Sequence, residues 1–313
     1  MKHILEEAAG DLLRRAEALE PVRCGVVYPC ETGALQAALS AQAQGLLIPV
    51  LLGPAARLQE IAAAADLDLS GVEIIDIAND RQAAETAARM AAQHELEALM
   101  KGSLHTDELM RAILAEPDLR TGRRMSHVYH FRLPAYPKPL LVSDCALNIK
   151  PDLSTKADIV QNTIDLAHVL GNPLPKVAIL SAVETVTPAI PSTLDAAALC
   201  KMADRKQITG ALLDGPLAFD NAVSPEAVRI KGICSPVAGE ADILIVPDLE
   251  AGNMLGKQLE YFAGAHTAGI VVGARVPLAL TSRADSVLTR TVSALLVKLL
   301  AHHYRENPPA KAR

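Results

Sequence analysis

Short apolar runs without internal alternation recur along this chain, each followed by a turn residue and then by a segment with helical spacing. A run such as 243–246 (ILIV) is apolar on both faces of a strand, which suits a sheet covered on both sides. Strands separated by helices run parallel, because each helix carries the chain back across the sheet. The first half reads as strand 24–28, helix 32–44, strand 46–52, a helix to about 65, strand 72–77, helix 80–94, strand 98–100 and helix 106–115. A further amphipathic helix occupies the first twenty residues. The expected fold class is α/β, with doubly wound, mostly parallel sheets.

The pattern changes between 118 and 138. Two strand-like runs, 126–133 and 139–142, are joined by the Pro-rich PAYPKP, which predicts an antiparallel hairpin and marks a domain boundary. Alternation then resumes through helix 154–170, strand 177–180, helix 192–204, strand 210–213, helix 224–231 and the run 243–246. The last strands are 269–273 and 277–280, and the last helix is 285–302. At 313 residues the chain exceeds what one core usually fills, so two domains are expected.

The stretch 241–256 (ADILIVPDLEAGNMLG) is a strand, a polar turn and a helix opening near Gly252 and Asn253. Ligands bind at such carboxyl ends of strands, and anions dock at the following helix N-terminus. A second corner, 280–286 (LTSRADS), explains its hydroxyls as caps: Thr281 or Ser282 caps the last helix and Asp285 closes the cap reciprocally. Capping does not explain Arg283, because a cation in the first helical turn opposes the macrodipole; it is placed to meet an anion. A third corner, 101–111, has a Gly turn, a hydroxyl-bearing helix start and Arg111 a turn and a half inside.

Composition excludes several classes. The net charge of −6 argues against general nucleic-acid binding, which needs a basic stripe. Five scattered cysteines without a C-x-x-C pair point to a reduced, cytoplasmic protein and not to a disulfide scaffold or zinc site. No apolar run approaches the roughly 20 residues that span a bilayer. The first twenty residues carry too many charges for a signal peptide. There is no G-x-G-x-x-G after a strand, and 252–258 (GNMLGKQ) is one residue too short between its glycines for a phosphate loop. His127 and His130 fall on opposite faces of a strand and make poor joint metal ligands.

Taken together, 101–114 (KGSLHTDELMRAIL), 140–152 (LLVSDCALNIKPD), 212–223 (LLDGPLAFDNAV), 235–254 (SPVAGEADILIVPDLEAGNM) and 280–286 resemble the phosphate acetyl/butyryltransferase family. Segment 181–196 (SAVETVTPAIPSTLDA) is more similar to the butyryl branch. The resemblance implies a two-domain fold like that of the isocitrate/isopropylmalate dehydrogenases. Residues 1–127 and 276–313 would form one domain, 128–275 an inserted and dimerising second, with the active site in the cleft between them. It implies reversible transfer of a short acyl group, acetyl to butyryl, between coenzyme A and inorganic phosphate. Acyl-CoA and phosphate are then substrates, no cofactor is tightly bound, no metal is needed, and the protein is a homodimer or larger homo-oligomer.

Residue by residue, Arg283 is similar to the family's phosphate-binding arginine and Ser282 to the serine beside it. Arg111 resembles a second substrate-binding arginine, and Thr106, Asn148, Gly252 and Asn253 fall in the matching blocks as substrate-binding positions. One departure concerns the base. The acetyl-type motif carries a catalytic Asp seven residues after its first Ser, where this chain has Thr289, and Asp285 is expected to take over that role. The alternatives are a catalytically silent metabolite-binding homologue or a 2-hydroxy-acid dehydrogenase of the same fold, for which no cluster of metal-binding aspartates is evident.

Overall fold

Why the chain folds as it does is clearest in its first strands. In the computed structural model, which describes residues 2–312, two short helices, α1 (Lys2–Ala9) and α2 (Asp11–Glu17), replace the single expected one. The break is Gly10, whose φ of 59° lies in the left-handed region that glycine tolerates. Strand β1 (Val22–Val27), α3 (Thr32–Ala43), β2 (Leu47–Gly53), α4 (Ala55–Ala64), β3 (Glu73–Asp76), α5 (Asp80–Ala92), β4 (Ala98–Lys101) and α6 (Thr106–Ala115) follow in strict alternation. β1 pairs in parallel with β2 on one side and β4 on the other, and β2 pairs in parallel with β3. Ala34, Ala37, Ala38 and Ala41 form the buried face of α3; such small side chains let a helix lie close to its sheet.

The middle of the chain opens with the expected hairpin: β5 (Ser126–Arg132) pairs antiparallel with β6 (Leu140–Ser143). Helix α7 (Leu153–Val169), β7 (Lys176–Leu180), α8 (Pro191–Asp204), β8 (Leu212–Leu217), α9 (Phe219–Val223), α10 (Pro225–Lys231), β9 (Ile243–Ile245) and α11 (Leu249–Tyr261) complete this part, with strand order β5-β6-β9-β7-β8. β9 pairs in parallel with both β6 and β7, as its apolar sequence requires.

The chain then returns through β10 (His266–Val272), β11 (Leu278–Ala279) and α12 (Val287–Glu306). β11 runs parallel to β4 and antiparallel to β10. α12 is buried on all sides from Thr289 to Ala301, so its polar residues need partners. Lys298 Nζ donates to the Gly45 carbonyl at 2.8 Å, Thr291 Oγ1 to Ser40 Oγ at 3.1 Å, and Ser293 Oγ accepts from the Gly269 N–H at 2.9 Å.

Two units result, Met1–Arg123 with Ala268–Arg313, and Arg124–Thr267. These joints differ from 127/128 and 275/276, for local reasons. The Arg124 N–H donates to Asp158 and its carbonyl accepts from Asn162, both on α7, so 124 goes with the middle unit. β10 goes with the terminal unit through β11, and Thr121 Oγ1 donates to the Gly273 carbonyl at 2.6 Å.

Candidate functional site

In the terminal unit, β1, β4 and β11 lie side by side and parallel. The three turns that leave their carboxyl ends, at 28–31, 102–105 and 280–286, are therefore neighbours, where an α/β sheet places its ligands. Backbone hydrogen bonds stitch the first two together. The Gly102 N–H donates to the Val27 carbonyl and the Ser103 N–H to the Tyr28 carbonyl, both at 2.9 Å. Ser103 Oγ donates to the same Tyr28 carbonyl at 2.7 Å and accepts from the Cys30 N–H at 3.0 Å.

The third turn joins through its arginine: Arg283 Nη2 donates to the Ser103 carbonyl at 2.7 Å. Residues 282–285 form a β-turn closed by the Asp285 N–H on the Ser282 carbonyl at 3.2 Å, and Asp285 Oδ2 accepts the Ser282 N–H at 2.7 Å. Helix α12 starts only after this turn. Its N-cap is Ser286, which accepts from the Thr289 N–H at 3.1 Å. The expected cap by Thr281 or Ser282 is thus corrected. Arg283 stands on a turn before the helix, and its side chain is exposed. Thr289, at the position of the family's catalytic Asp, is buried in the first turn of α12.

Beneath the turn lie charges that the sequence analysis did not single out. Arg290 is 2% exposed, and its Nη2 donates to Glu31 Oε1 at 2.8 Å, to the Ser282 carbonyl at 3.2 Å and to the Arg283 carbonyl at 3.1 Å. Lys101, the last residue of β4, is buried and donates from Nζ to the carbonyls of Gly102 and Leu104, each at 3.2 Å. Burial lowers the Lys101 pKa most, and the positive charge of Arg290 lowers it further. Arg283 acts in the same direction, while Glu31 and Asp285 oppose it. Two further cations and two carboxylates thus act on the Lys101 charge at the ends of these strands. A lysine closing an apolar run and an arginine inside an apolar helix were the available signals.

The other expected residues are placed differently. Thr106 begins α6, half-buried. Arg111 lies on the solvent side of α6, its Nη1 on Glu108 Oε1 at 2.5 Å, while Leu109, Met110, Ala112 and Ile113 make the buried face. The structure does not join it by any described hydrogen bond to the turn cluster.

Asn148, Gly252 and Asn253 belong to the middle unit, around the buried Asp144. Asp144 Oδ1 accepts the N–H groups of Ala146 and Leu147, each at 2.9 Å. Its Oδ2 accepts from Asn148 Nδ2 at 2.5 Å, and the same amide donates to the Met125 carbonyl at 2.9 Å. Asn253 Nδ2 donates to the Cys145 carbonyl at 3.2 Å. Helix α11 starts at Leu249 and not at Gly252, its N-cap Asp248 accepting from the Ala251 N–H. A Cβ on Gly252 would stand 2.5 Å from the Asp144 carbonyl oxygen. Gly252 therefore permits close packing, and its N–H is spent on the Asp248 carbonyl. Gly252 and Asn253, expected as donors to an anion, here pack against and brace the 144–148 loop.

Burial raises the pKa of the Cys24 and Cys145 thiols and pushes Cys200 up to about 12, so these three are packing residues. Among the described residues no group of His, Cys, Asp and Glu could hold a metal ion. No described helix is long and apolar enough to cross a membrane.

Parallel strands whose carboxyl ends gather cations and hydroxyls define an α/β protein with its candidate site at those ends. Residues 81–297 match the family described as phosphate acetyl/butaryl transferase, and the chain belongs to that family. It is 53% identical to a phosphate acetyltransferase of Rhizobium meliloti, over 94% of this chain and 93% of that one. It is 38% identical to a phosphate butyryltransferase of Clostridium acetobutylicum, over 93% and 97%. The butyryl-like character of 181–196 does not extend to whole-chain identity. Among solved structures, a branched-chain phosphotransacylase from Enterococcus faecalis V583 superposes with a TM-score of 0.79 at 30% identity, covering 90% of this chain and 99% of that one. A 4-hydroxythreonine-4-phosphate dehydrogenase from Klebsiella pneumoniae, at 13% identity and a TM-score of 0.56, covers 90% of this chain and 98% of that one and shares the fold alone.

Proposed function

We propose that this chain transfers a short acyl group, acetyl to butyryl, reversibly between coenzyme A and inorganic phosphate. The observation that carries the reading is the exposed Arg283 on a turn beside Ser282, above a buried layer of Arg290 and Lys101. In one direction the CoA thiol, with a pKa of about 8.5 for a simple thiol, loses its proton and its sulfur attacks the carbonyl of an acyl phosphate. The new C–S bond forms as the C–O bond to phosphate breaks, and the phosphate leaves with the electron pair. In the other direction a phosphate oxygen attacks the thioester and the thiolate leaves. Arg283 matches phosphate with parallel N–H donors, and Ser282 offers a hydroxyl beside it. Arg111 is a second contact if its side chain leaves Glu108.

Asp285 is proposed as the group that takes the thiol proton. Asp285→Asn separates this role from turn closure, because asparagine keeps an oxygen for the Ser282 N–H. Turnover is expected to fall about 100-fold while the melting temperature barely moves. Equal losses in both would reduce Asp285 to a structural residue. The reaction itself is tested with acetyl-CoA or butyryl-CoA and phosphate. Phosphate-dependent release of free thiol supports the proposal, and release that ignores phosphate makes the chain a thioesterase.

We further propose a cytoplasmic homodimer formed by the middle unit. A cavity of about 590 Å³ there is lined by Leu180, Phe219, Val246, Leu255, Leu259 and Phe262. Phe262 is 90% exposed, and Tyr261 and Met254 beside it are exposed as well. A hollow and a protruding apolar side chain on one patch suit a two-fold interface, which must be complementary to itself. Sedimentation should give twice the 33.1 kDa of one chain, and Phe262→Asp should return the monomer. A monomeric wild type at micromolar concentration removes the proposal.

A further inference from the structure

Arg290 is an unusual residue for the middle of a protein. A guanidinium keeps its charge at any physiological pH, and taking such a group out of water costs several kcal/mol unless partners compensate. Here only Nη2 is engaged, by Glu31 Oε1 and the carbonyls of Ser282 and Arg283. Nε and Nη1 are buried without a hydrogen-bond partner. Stability alone would be better served by an apolar residue at this position. The arrangement has a geometric result. One nitrogen fixes two successive carbonyls of the turn that carries Ser282 and Arg283, while the Arg283 side chain itself reaches the Ser103 carbonyl. Glu31, with its side chain 27% exposed, sits at the start of α3 and holds the guanidinium in place. Gly33, the second residue of α3, lies under the guanidinium: a Cβ there would be 4.0 Å from its carbon and from Nη2.

We propose that the buried Arg290–Glu31 pair is the positioning device for the Ser282–Arg283 turn, setting the direction in which Arg283 meets phosphate. The proposal rests on the reading of Arg283 as the phosphate-binding arginine. Arg290 touches no substrate in it. The pair acts by holding backbone, so its loss should fall on phosphate affinity and leave acyl-CoA affinity alone. A lysine at 290 keeps the charge but is one bond shorter, so its ammonium falls short of the point where Nη2 meets Glu31 and both carbonyls.

The experiment is steady-state acyl transfer by purified full-length wild type, Arg290→Lys, Glu31→Gln, Arg283→Gln and the double variant Arg283→Gln/Arg290→Lys, with melting temperatures alongside. Expected is a rise of about tenfold in the phosphate KM for Arg290→Lys and a smaller rise for Glu31→Gln, the acyl-CoA KM staying within about twofold. Since Arg290 acts through Arg283, the double variant should be no worse for phosphate than Arg283→Gln alone. A lowered kcat with the phosphate KM unchanged, in both Arg290→Lys and Glu31→Gln, would overturn the proposal, as would additive losses in the double variant. Glu31→Gln keeps the test open if Arg290→Lys does not fold, because Glu31 reaches solvent. If the wild type shows no dependence on phosphate, or Arg283→Gln leaves the phosphate KM unchanged, the failure lies with the proposed function and not with the positioning device.

Discussion

Replacing Arg283 by glutamine should lower kcat/KM for phosphate by about 100- to 1,000-fold, the loss that follows removal of one pre-placed donor to a developing anion. The fold should survive. Arg283 is exposed, and its one described hydrogen bond goes to the Ser103 carbonyl, which water can satisfy in its place. Arg283→Lys should recover only part of the activity. Lysine restores the charge but not the two parallel donors that match adjacent phosphate oxygens. The measurement is phosphate-dependent thiol release set against thermal melting. A variant that keeps wild-type kcat/KM removes Arg283 from the site.

The second large effect is on folding. Gly102→Ala should destabilise the chain by about 3 kcal/mol or more, at the upper end of the usual cost of overpacking. A Cβ at 102 would stand 2.4 Å from the Val27 carbonyl oxygen and 2.5 Å from that of Tyr28. Both obstacles are backbone, and the Val27 oxygen is the acceptor of the Gly102 N–H itself. Neither can retreat without opening the seam between the ends of β1 and β4, so activity should fall with stability. Gly122→Ala is the control: nothing lies within 4 Å of its added Cβ, and its melting temperature should not drop. Equal behaviour of the two variants would refute the crowding argument.

These two residues also mark how far the chain could be read without coordinates. Alternation of apolar runs and helical spacing placed most strands within a residue or two, and α6 at 106–115 agrees throughout. Burial on both faces forces a continuous apolar run, so that information is local. Arg283 stood out in the sequence because no cap or helix rule required a cation there, although it stands in a turn and not in the helix. Arg290 and Glu31 were not. They are 259 positions apart and meet only through the packing of α12 on α3. The close packing of Gly252 was hidden for a related reason. A glycine after a strand suits a ligand turn and a helix packed tightly on a loop equally well, and only the neighbouring Asp144 carbonyl distinguishes the two.

The order of the chain has a consequence for synthesis. β11 enters beside β4, and α12 covers the same sheet, only after the whole middle unit has been made. At ribosomal speeds of about 5–20 residues per second, the first 123 residues wait on the order of ten seconds for their missing strand and helix. During that interval β4 exposes an unpaired backbone edge that invites wrong partners. The segment that closes the sheet is thus made after the middle unit, and it also sets the turn bearing Arg283. A nascent chain stalled before residue 278 would carry a finished middle unit without the turn that bears Ser282 and Arg283.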